Sequence, residues 1–164
     1  MADGCCSGSS CCGCAPQKQV VVDYLYIDLT VCDRCLNTEA ALDTAVAAVA
    51  PALKAAGYGI RVSKKLVSSP EQAMALGFVS SPTIRVNGRD IADADETPCA
   101  CCTDLCGCDV DCRVWHYSGE TYDAPPAELI TEAILKLFAL PPVTPQPCPL
   151  PDNLASFFQG KQKH

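Results

Sequence analysis

Cysteines are the residues of this sequence whose number and spacing indicate chemistry, since 14 of its 164 residues are cysteine. Cys32 and Cys35 form a CxxC pair in the segment DLTVCDRCLN (28–37), directly after an apolar run. A CxxC pair serves either in thiol–disulfide exchange or as half of a zinc site. The spacing alone does not distinguish these two uses, so the surrounding elements have to be considered.

A second segment, CACCTDLCGCDVDC, contributes six more cysteines: Cys99, Cys101, Cys102, Cys106, Cys108 and Cys112. Several of its separations are typical of zinc ligands, and four of its thiolates could close a tetrahedral site. Neither regular ferredoxin spacing is present, which disfavours an iron–sulfur cluster. The alternative is an internal disulfide that holds a long loop in place.

A third group of cysteines lies near the N-terminus: Cys5, Cys6, Cys11, Cys12 and Cys14. Its vicinal pairs suit thiophilic ions such as zinc, copper(I), mercury(II) or trivalent arsenic. We predict that residues 1–18 form a flexible tail, because Gly, Ser and Cys leave almost nothing to bury. Residues 141–164 are predicted to be a proline-rich C-terminal tail.

The acidic composition argues against some classes of partner. A net charge of −7 disfavours nucleic acid and anionic membranes, which bind surfaces rich in Lys and Arg. No segment is apolar over the length of a transmembrane helix, and the N-terminus lacks the basic start and apolar stretch of a secretory signal. We therefore expect a cytoplasmic protein, in which reducing conditions favour metal binding or redox chemistry over a disulfide framework.

Periodicity and turn signals predict one domain over residues 19–140, with the cysteine-rich residues 98–112 as an insertion. The predicted elements are a strand 19–29, a helix 33–56, a strand 59–67, a short helix 69–77, a hairpin 80–91 around Asn87-Gly88, a hairpin 113–122 and a helix 125–140. Pro51 is expected to kink or restart the first long helix, because proline removes a backbone hydrogen bond.

The sequence resembles the thioredoxin/glutaredoxin superfamily in this order of elements and in three further features. These are TVCDRC after the first strand, SSPT (80–83) before a hairpin strand, and the closing amphipathic helix. The resemblance implies a thioredoxin-like α/β fold, with a central mixed sheet of about four strands flanked by helices, and a cis peptide at Ser81–Pro82 facing the CxxC pair. The insertion followed by CRVWHYSGETYDAPP (112–126) is similar to an uncharacterised bacterial branch of this superfamily, a domain of unknown function to which no activity is assigned.

The position of the CxxC pair predicts thiol–disulfide exchange. Cys32 falls at a helix N-terminus, where free N–H groups and the helix dipole stabilise a thiolate. We expect Cys32 to be the attacking thiolate and the most reactive thiol of the domain, with Cys35 as the resolving thiol. The resemblance adds Pro82 as a residue that shapes the substrate groove. The expected partners are protein or small-molecule thiols and disulfides.

The alternative function is binding of a soft metal or metalloid ion, as a chaperone or detoxification protein. Zinc or another thiophilic metal ion is the cofactor that this alternative implies, and the sequence establishes none. The N-terminal tail and the insertion would then be the active parts. Topology predicts that the insertion lies beside Cys32 in either case. The strand after Pro82 turns at Asn87-Gly88 and returns toward the same end of the sheet, and the insertion leaves from that end.

Overall fold

A four-stranded mixed sheet lies at the centre of the structure, a computed structural model in which residues 17–163 are described. Its strands are β1 (Lys18–Tyr26), β2 (Tyr58–Leu66), β3 (Thr83–Val86) and β4 (Arg89–Asp90). They are ordered β2-β1-β3-β4, with β1 parallel to β2 and antiparallel to β3, and with β3 antiparallel to β4. The predicted mixed α/β architecture with a four-stranded sheet is confirmed.

The remaining elements of the described residues are helices and short strands. The helices are α1 (Asp33–Ala55), α2 (Pro70–Ala75), α3 (Ala100–Cys106), α4 (Ala127–Leu137) and α5 (Asp152–Gln162). The short strands are β5 (Glu96–Pro98), β6 (Asp111–Arg113), β7 (Trp115–Tyr117) and β8 (Glu120–Tyr122). β5 pairs with β6 and β7 with β8, both antiparallel, so a small ladder closes the insertion. None of these helices has the length and apolar composition that crossing a membrane requires.

The turn between β3 and β4 follows from the Asn87-Gly88 pair. Both residues have positive φ, 50° and 83°, as a two-residue hairpin turn requires. The side-chain amide of Asn87 also donates hydrogen bonds to the carbonyls of Leu137 (3.3 Å) and Leu140 (3.1 Å), and its Oδ1 accepts one from the N–H of Val21 (3.0 Å). One turn residue thereby connects β1 to the end of α4.

The first hydrophobic cluster lies between the sheet and the helices α1 and α4. Val22, Leu42 and Ile134 are fully buried in it. The sequence predicts that Pro51 kinks or restarts α1, but the helix is continuous across this residue, so a restart does not occur. Pro51 is exposed while Leu53 beyond it is buried. Packing of the following turn into the core therefore stabilises the helix across the missing hydrogen bond.

The C-terminal region, predicted as a proline-rich tail over 141–164, belongs to the fold. Its first part contains no helix or strand, but it is hydrogen-bonded to the domain. The N–H of Val143 donates to the carbonyl of Asn87 at 3.0 Å, and the N–H of Cys148 donates to the carbonyl of Met74 at 3.1 Å. The domain boundary placed at residue 140 is therefore corrected, because the chain beyond it contacts the β3–β4 turn, β4 and α2.

The sequence interpretation missed α5, as it missed α3 and β5. Leu154, Phe157 and Phe158 lie on one face of α5 and are buried. That face packs against α3 of the insertion and helps to form a second hydrophobic cluster, which also contains Cys32 and Cys35. The prolines before α5 favoured an extended interpretation, although the spacing of its three apolar residues was a signal for a helix.

Phe157→Ala tests the docking of α5. The side chain is 0% exposed, so its removal leaves a cavity, and we expect the free energy of unfolding to fall by about 3–5 kcal/mol. Urea denaturation followed by circular dichroism measures this change. The exposed neighbour Gln159, changed to Ala, is the control and should alter stability by about 0.5 kcal/mol or less. Unchanged stability of the Phe157 variant would contradict the packing of α5 described above.

Candidate metal centre

The loop between β1 and α1 is held in place by Asp28. Its carboxylate accepts hydrogen bonds from the backbone N–H groups of Thr30 (3.1 Å), Val31 (2.8 Å) and Cys32 (2.9 Å). Burial raises the pKa of Asp28, but the hydrogen bonds from Thr30, Val31 and Cys32 outweigh burial and leave the pKa below its ordinary value. Asp28 is therefore ionised at neutral pH and fixes the backbone of Cys32, the residue just before α1.

Hydrogen bonds between the two ends of the insertion hold three of its cysteines in place. The N–H of Cys99 donates to the carbonyl of Val110 at 2.8 Å, and the N–H of Val110 donates to Oγ1 of Thr103 at 3.1 Å. Cys99 directly precedes α3, Cys102 lies in the first turn of α3, and Cys112 lies on β6. A short helix and a short strand thus bring three thiols to the same place.

Four sulfur atoms from these two parts of the chain form one buried group, called here the four-thiol centre: Cys32, Cys99, Cys102 and Cys112. All four Sγ atoms lie within 4.8 Å of one another, and those of Cys102 and Cys112 are 3.5 Å apart. Cys99 is 4% exposed and the other three are 0% exposed. The prediction that the insertion lies beside Cys32 is confirmed.

The size and composition of the four-thiol centre fit a tetrahedral metal ion. Thiolates bound to zinc at about 2.3 Å in tetrahedral geometry have sulfur atoms about 3.8 Å apart. The sulfur separations, one of 3.5 Å and all within 4.8 Å, bracket this value. Among the described residues, no other group of three or more Cys, His, Asp or Glu side chains is arranged in this way.

The thiols of the centre cannot all be ionised without a cation. Hydrogen bonds from Cys102 and Cys112 keep the pKa of Cys32 well below its ordinary value, and hydrogen bonds from the same two thiols lower the pKa of Cys99 to about 7. The hydrogen bond to Cys102 and burial raise the pKa of Cys112. Four thiolates would repel one another in a buried site, so complete ionisation requires a positive charge among them.

Arg34, between the two cysteines of the CxxC pair, fastens the insertion to α1. Its guanidinium donates hydrogen bonds to the carbonyls of Thr97 (3.1 Å), Pro98 (3.0 Å) and Cys112 (3.1 Å) and lies 3.3 Å from the carboxylate of Asp123. These carbonyls belong to the two paired strands that lead to the insertion ligands. The sequence indicated only the charge of Arg34, because its partners are backbone atoms that no residue pattern reveals.

Cys35 lies beside the four-thiol centre but outside it. Its thiol lies in the same buried cluster as Cys32 and 3.7 Å from Oγ of Ser81, while the hydroxyl of Tyr24 donates to the Cys35 carbonyl at 2.6 Å. The hydrogen bond to Cys32 and burial raise the pKa of Cys35. Pro82, which follows Ser81 through a cis peptide bond, is buried as well.

The other cysteines proposed as metal ligands are placed elsewhere. Cys101 is partly exposed, with its Sγ 3.9 Å from the carboxylate of Asp33. Cys106 and Cys108 are joined by a disulfide, which corrects their assignment as ligands: they lie at the end of α3, where only one residue separates them. Cys5, Cys6, Cys11, Cys12 and Cys14 lie outside the described residues. So does most of the predicted flexible tail, although β1 already begins within it.

Burial leads to a prediction for thiol reactivity that differs from the one made from sequence. Cys32 is fully buried, whereas Cys101 and Cys148 are partly exposed. In limited alkylation of the native protein under anaerobic conditions, we expect Cys101 and Cys148 to be labelled before Cys32. Peptide mapping identifies the labelled thiols, and denatured protein, in which every free thiol reacts, is the control. Initial labelling at Cys32 would show that the insertion does not cover it.

Comparison with known proteins identifies the family to which the chain belongs. No curated protein matches the sequence, and no solved structure matches the chain. One family matches residues 20–134, which include α1, the insertion and all four cysteines of the four-thiol centre. The chain belongs to that family, which is described as a domain of unknown function, DUF2703.

Proposed function

We propose that this protein binds one thiophilic metal ion, zinc being the best match, through Cys32, Cys99, Cys102 and Cys112. The observation that supports this most directly is the buried group of four sulfurs drawn from two distant parts of the chain. Thiolates prefer soft or borderline ions, and four cysteines in tetrahedral geometry are typical of structural zinc. Four protein ligands leave no coordination position open for a substrate. The ion would therefore stabilise the fold, or the protein would store or transfer the ion, and catalysis at the ion is not expected.

Metal binding would connect the insertion to the main sheet. Cys32 follows the loop fixed by Asp28, whereas the other ligands come from α3 and β6. The elements of the insertion are too short to be stable alone. The free energy of metal binding would therefore appear as free energy of folding, mainly in this part of the protein.

Zinc stoichiometry is the direct test of the proposal. We expect one zinc per chain in protein purified anaerobically or reconstituted with Zn²⁺, measured by elemental analysis. Cobalt(II) in place of zinc should give the visible absorption of tetrahedral thiolate coordination. Since each ligand supplies a quarter of the coordination shell, serine at any of the four ligand positions should weaken binding strongly.

The partly exposed thiols provide matched controls for this test. Cys101→Ser and Cys148→Ser remove cysteines outside the four-thiol centre, so each variant should keep the full zinc content. Absence of stoichiometric metal from the wild-type protein after reconstitution would overturn the proposed function. If Cys101→Ser lost as much zinc as the serine variants at the four ligand positions, the proposed ligand set would be wrong.

Arg34 is expected to support the metal site without touching the ion. Because it holds the two paired strands that lead to the insertion ligands, Arg34→Ala should lower zinc affinity about 10–100-fold, the usual effect of losing a group that orients ligands. Arg34→Lys keeps the charge but cannot reach the three carbonyls together, so it should restore only part of the affinity. Competition with a chelator of known affinity measures these changes.

The exposed Arg61 on β2 is the control for the Arg34 variants. Arg61→Ala removes the same charge from the protein but no contact with the insertion, so zinc affinity should not change. Equal losses of affinity in the Arg34 and Arg61 variants would indicate a general effect of net charge instead of ligand positioning.

Thiol–disulfide exchange is the second candidate function. It is favoured by the burial of Cys35 in the same cluster as Cys32 at the start of α1 and by Ser81 and Pro82 next to this pair. External disulfides must reach Cys32, which the insertion covers in this conformation. A disulfide-reductase assay on metal-free protein tests this candidate. Activity of the wild-type protein that Cys32→Ser abolishes would support exchange. A wild-type protein without activity would rule it out.

We infer that the fold is thioredoxin-like. The element order β1-α1-β2-α2-β3-β4-α4, the sheet order β2-β1-β3-β4 and the CxxC pair between β1 and α1 support this inference. The insertion and α5 are then additions to that framework. The cytoplasmic location, the thiol and disulfide partners and the lack of nucleic acid or membrane partners stay predictions from the sequence.

A further inference from the structure

Cys35 is a fifth buried thiol that the proposed metal site does not use. It is 0% exposed and lies in the same buried cluster as the ligand Cys32. This proximity follows from the local structure, in which Cys32 directly precedes α1 and the N–H of Leu36 donates to the Cys32 carbonyl at 3.0 Å. Residues three apart in a helical turn have Cβ atoms about 5–6 Å apart, and a disulfide needs them about 3.5–4.5 Å apart, so a local shift of about 1–2 Å at the start of α1 would let the two sulfurs bond.

We propose that Cys35 makes the metal site redox-sensitive: formation of a Cys32–Cys35 disulfide removes one ligand from the ion and releases it. This inference rests on the proposed metal-binding function and adds its regulation. Cys32 has two alternative partners, the ion held by the insertion and the thiol of Cys35. It cannot serve both, because a disulfide sulfur no longer carries the charge that binds a metal ion.

Hydrogen peroxide is the class of oxidant that suits a buried thiolate, since it is small. Peroxide converts the Cys32 thiolate to a sulfenic acid and releases hydroxide. The Cys35 sulfur then attacks the Cys32 sulfur, the S–S bond forms and the sulfenic oxygen leaves as water with the Cys35 proton. In sum, one thiolate, one thiol and one peroxide give one disulfide, one water and one hydroxide, and the ion departs from three remaining thiolates.

Other disulfides near the centre are less favourable when metal is bound. Cys99 and Cys102 have the same spacing at the start of α3, but both belong to the four-thiol centre. Joining them would require two thiolates to leave the ion together. Cys35 belongs to no ligand set, so its thiol is available while the ion still holds the insertion in place. Local opening of the insertion would admit the oxidant.

The test uses full-length protein loaded with Zn²⁺, whose zinc content is measured before oxidation. Hydrogen peroxide is then added in a stoichiometric amount, and a chromogenic chelator reports zinc release while mass spectrometry maps disulfides. We expect zinc release and the Cys32–Cys35 disulfide to develop at the same rate. A disulfide between Cys99 and Cys102, or release without any Cys32–Cys35 disulfide, would overturn the proposal, and this result needs no variant.

A second experiment repeats the zinc-release measurement with the variant Cys35→Ser. Since Cys35 is not a ligand, this variant should bind a full equivalent of zinc and lose most of the rapid, peroxide-driven release. Cys35→Ala replaces it if serine prevents folding, and Cys148→Ser is the control with wild-type release. Release at the wild-type rate from the Cys35 variant refutes redox regulation while leaving metal binding intact. Failure of the wild-type protein to bind zinc, seen in the first measurement, refutes both proposals.

Discussion

The arrangement of this protein depends on four thiol groups that share one buried space. Cys32 enters that space from the main sheet and Cys99, Cys102 and Cys112 enter it from the insertion. Sulfur is apolar enough to be buried as a neutral thiol, and as a thiolate it binds soft ions. The same residues can therefore complete a hydrophobic cluster or surround a cation. The neighbouring contacts, from Asp28 on one side and Arg34 on the other, serve to keep these sulfur atoms together.

The framework was predictable because local signals and long-range packing agree. The CxxC pair at the start of α1 and the Asn87-Gly88 turn each combine a specific residue with a specific position, and the structure places both as the sequence indicated. Apolar periodicity gave α1 and α4 with small errors at their ends. The course of α1 through Pro51 was not predictable from local rules, since burial of the following turn overrides the local cost of proline.

The composition of the four-thiol centre was much less predictable. By spacing alone, several cysteines of the insertion are equally good candidate ligands. Only the tertiary structure distinguishes those that join the centre from those that do not. Cys101 and Cys102 are adjacent, yet the rotation of α3 buries one and leaves the other partly exposed. Cys112 joins the centre because β6 pairs with β5 in one register. The hydrogen bonds of Arg34 are directed to backbone carbonyls, and these carry no sequence signature.

The packing of α5 on α3 has a consequence for the order in which the protein is made. α3 comes before α5 in the sequence, so this contact forms only after α5 has left the ribosome. Until then the apolar side of the insertion faces solvent, and its cysteines are open to ions, oxidants and chaperones. The cysteines of the insertion are therefore more accessible to ions in the newborn chain than after α5 has packed against α3.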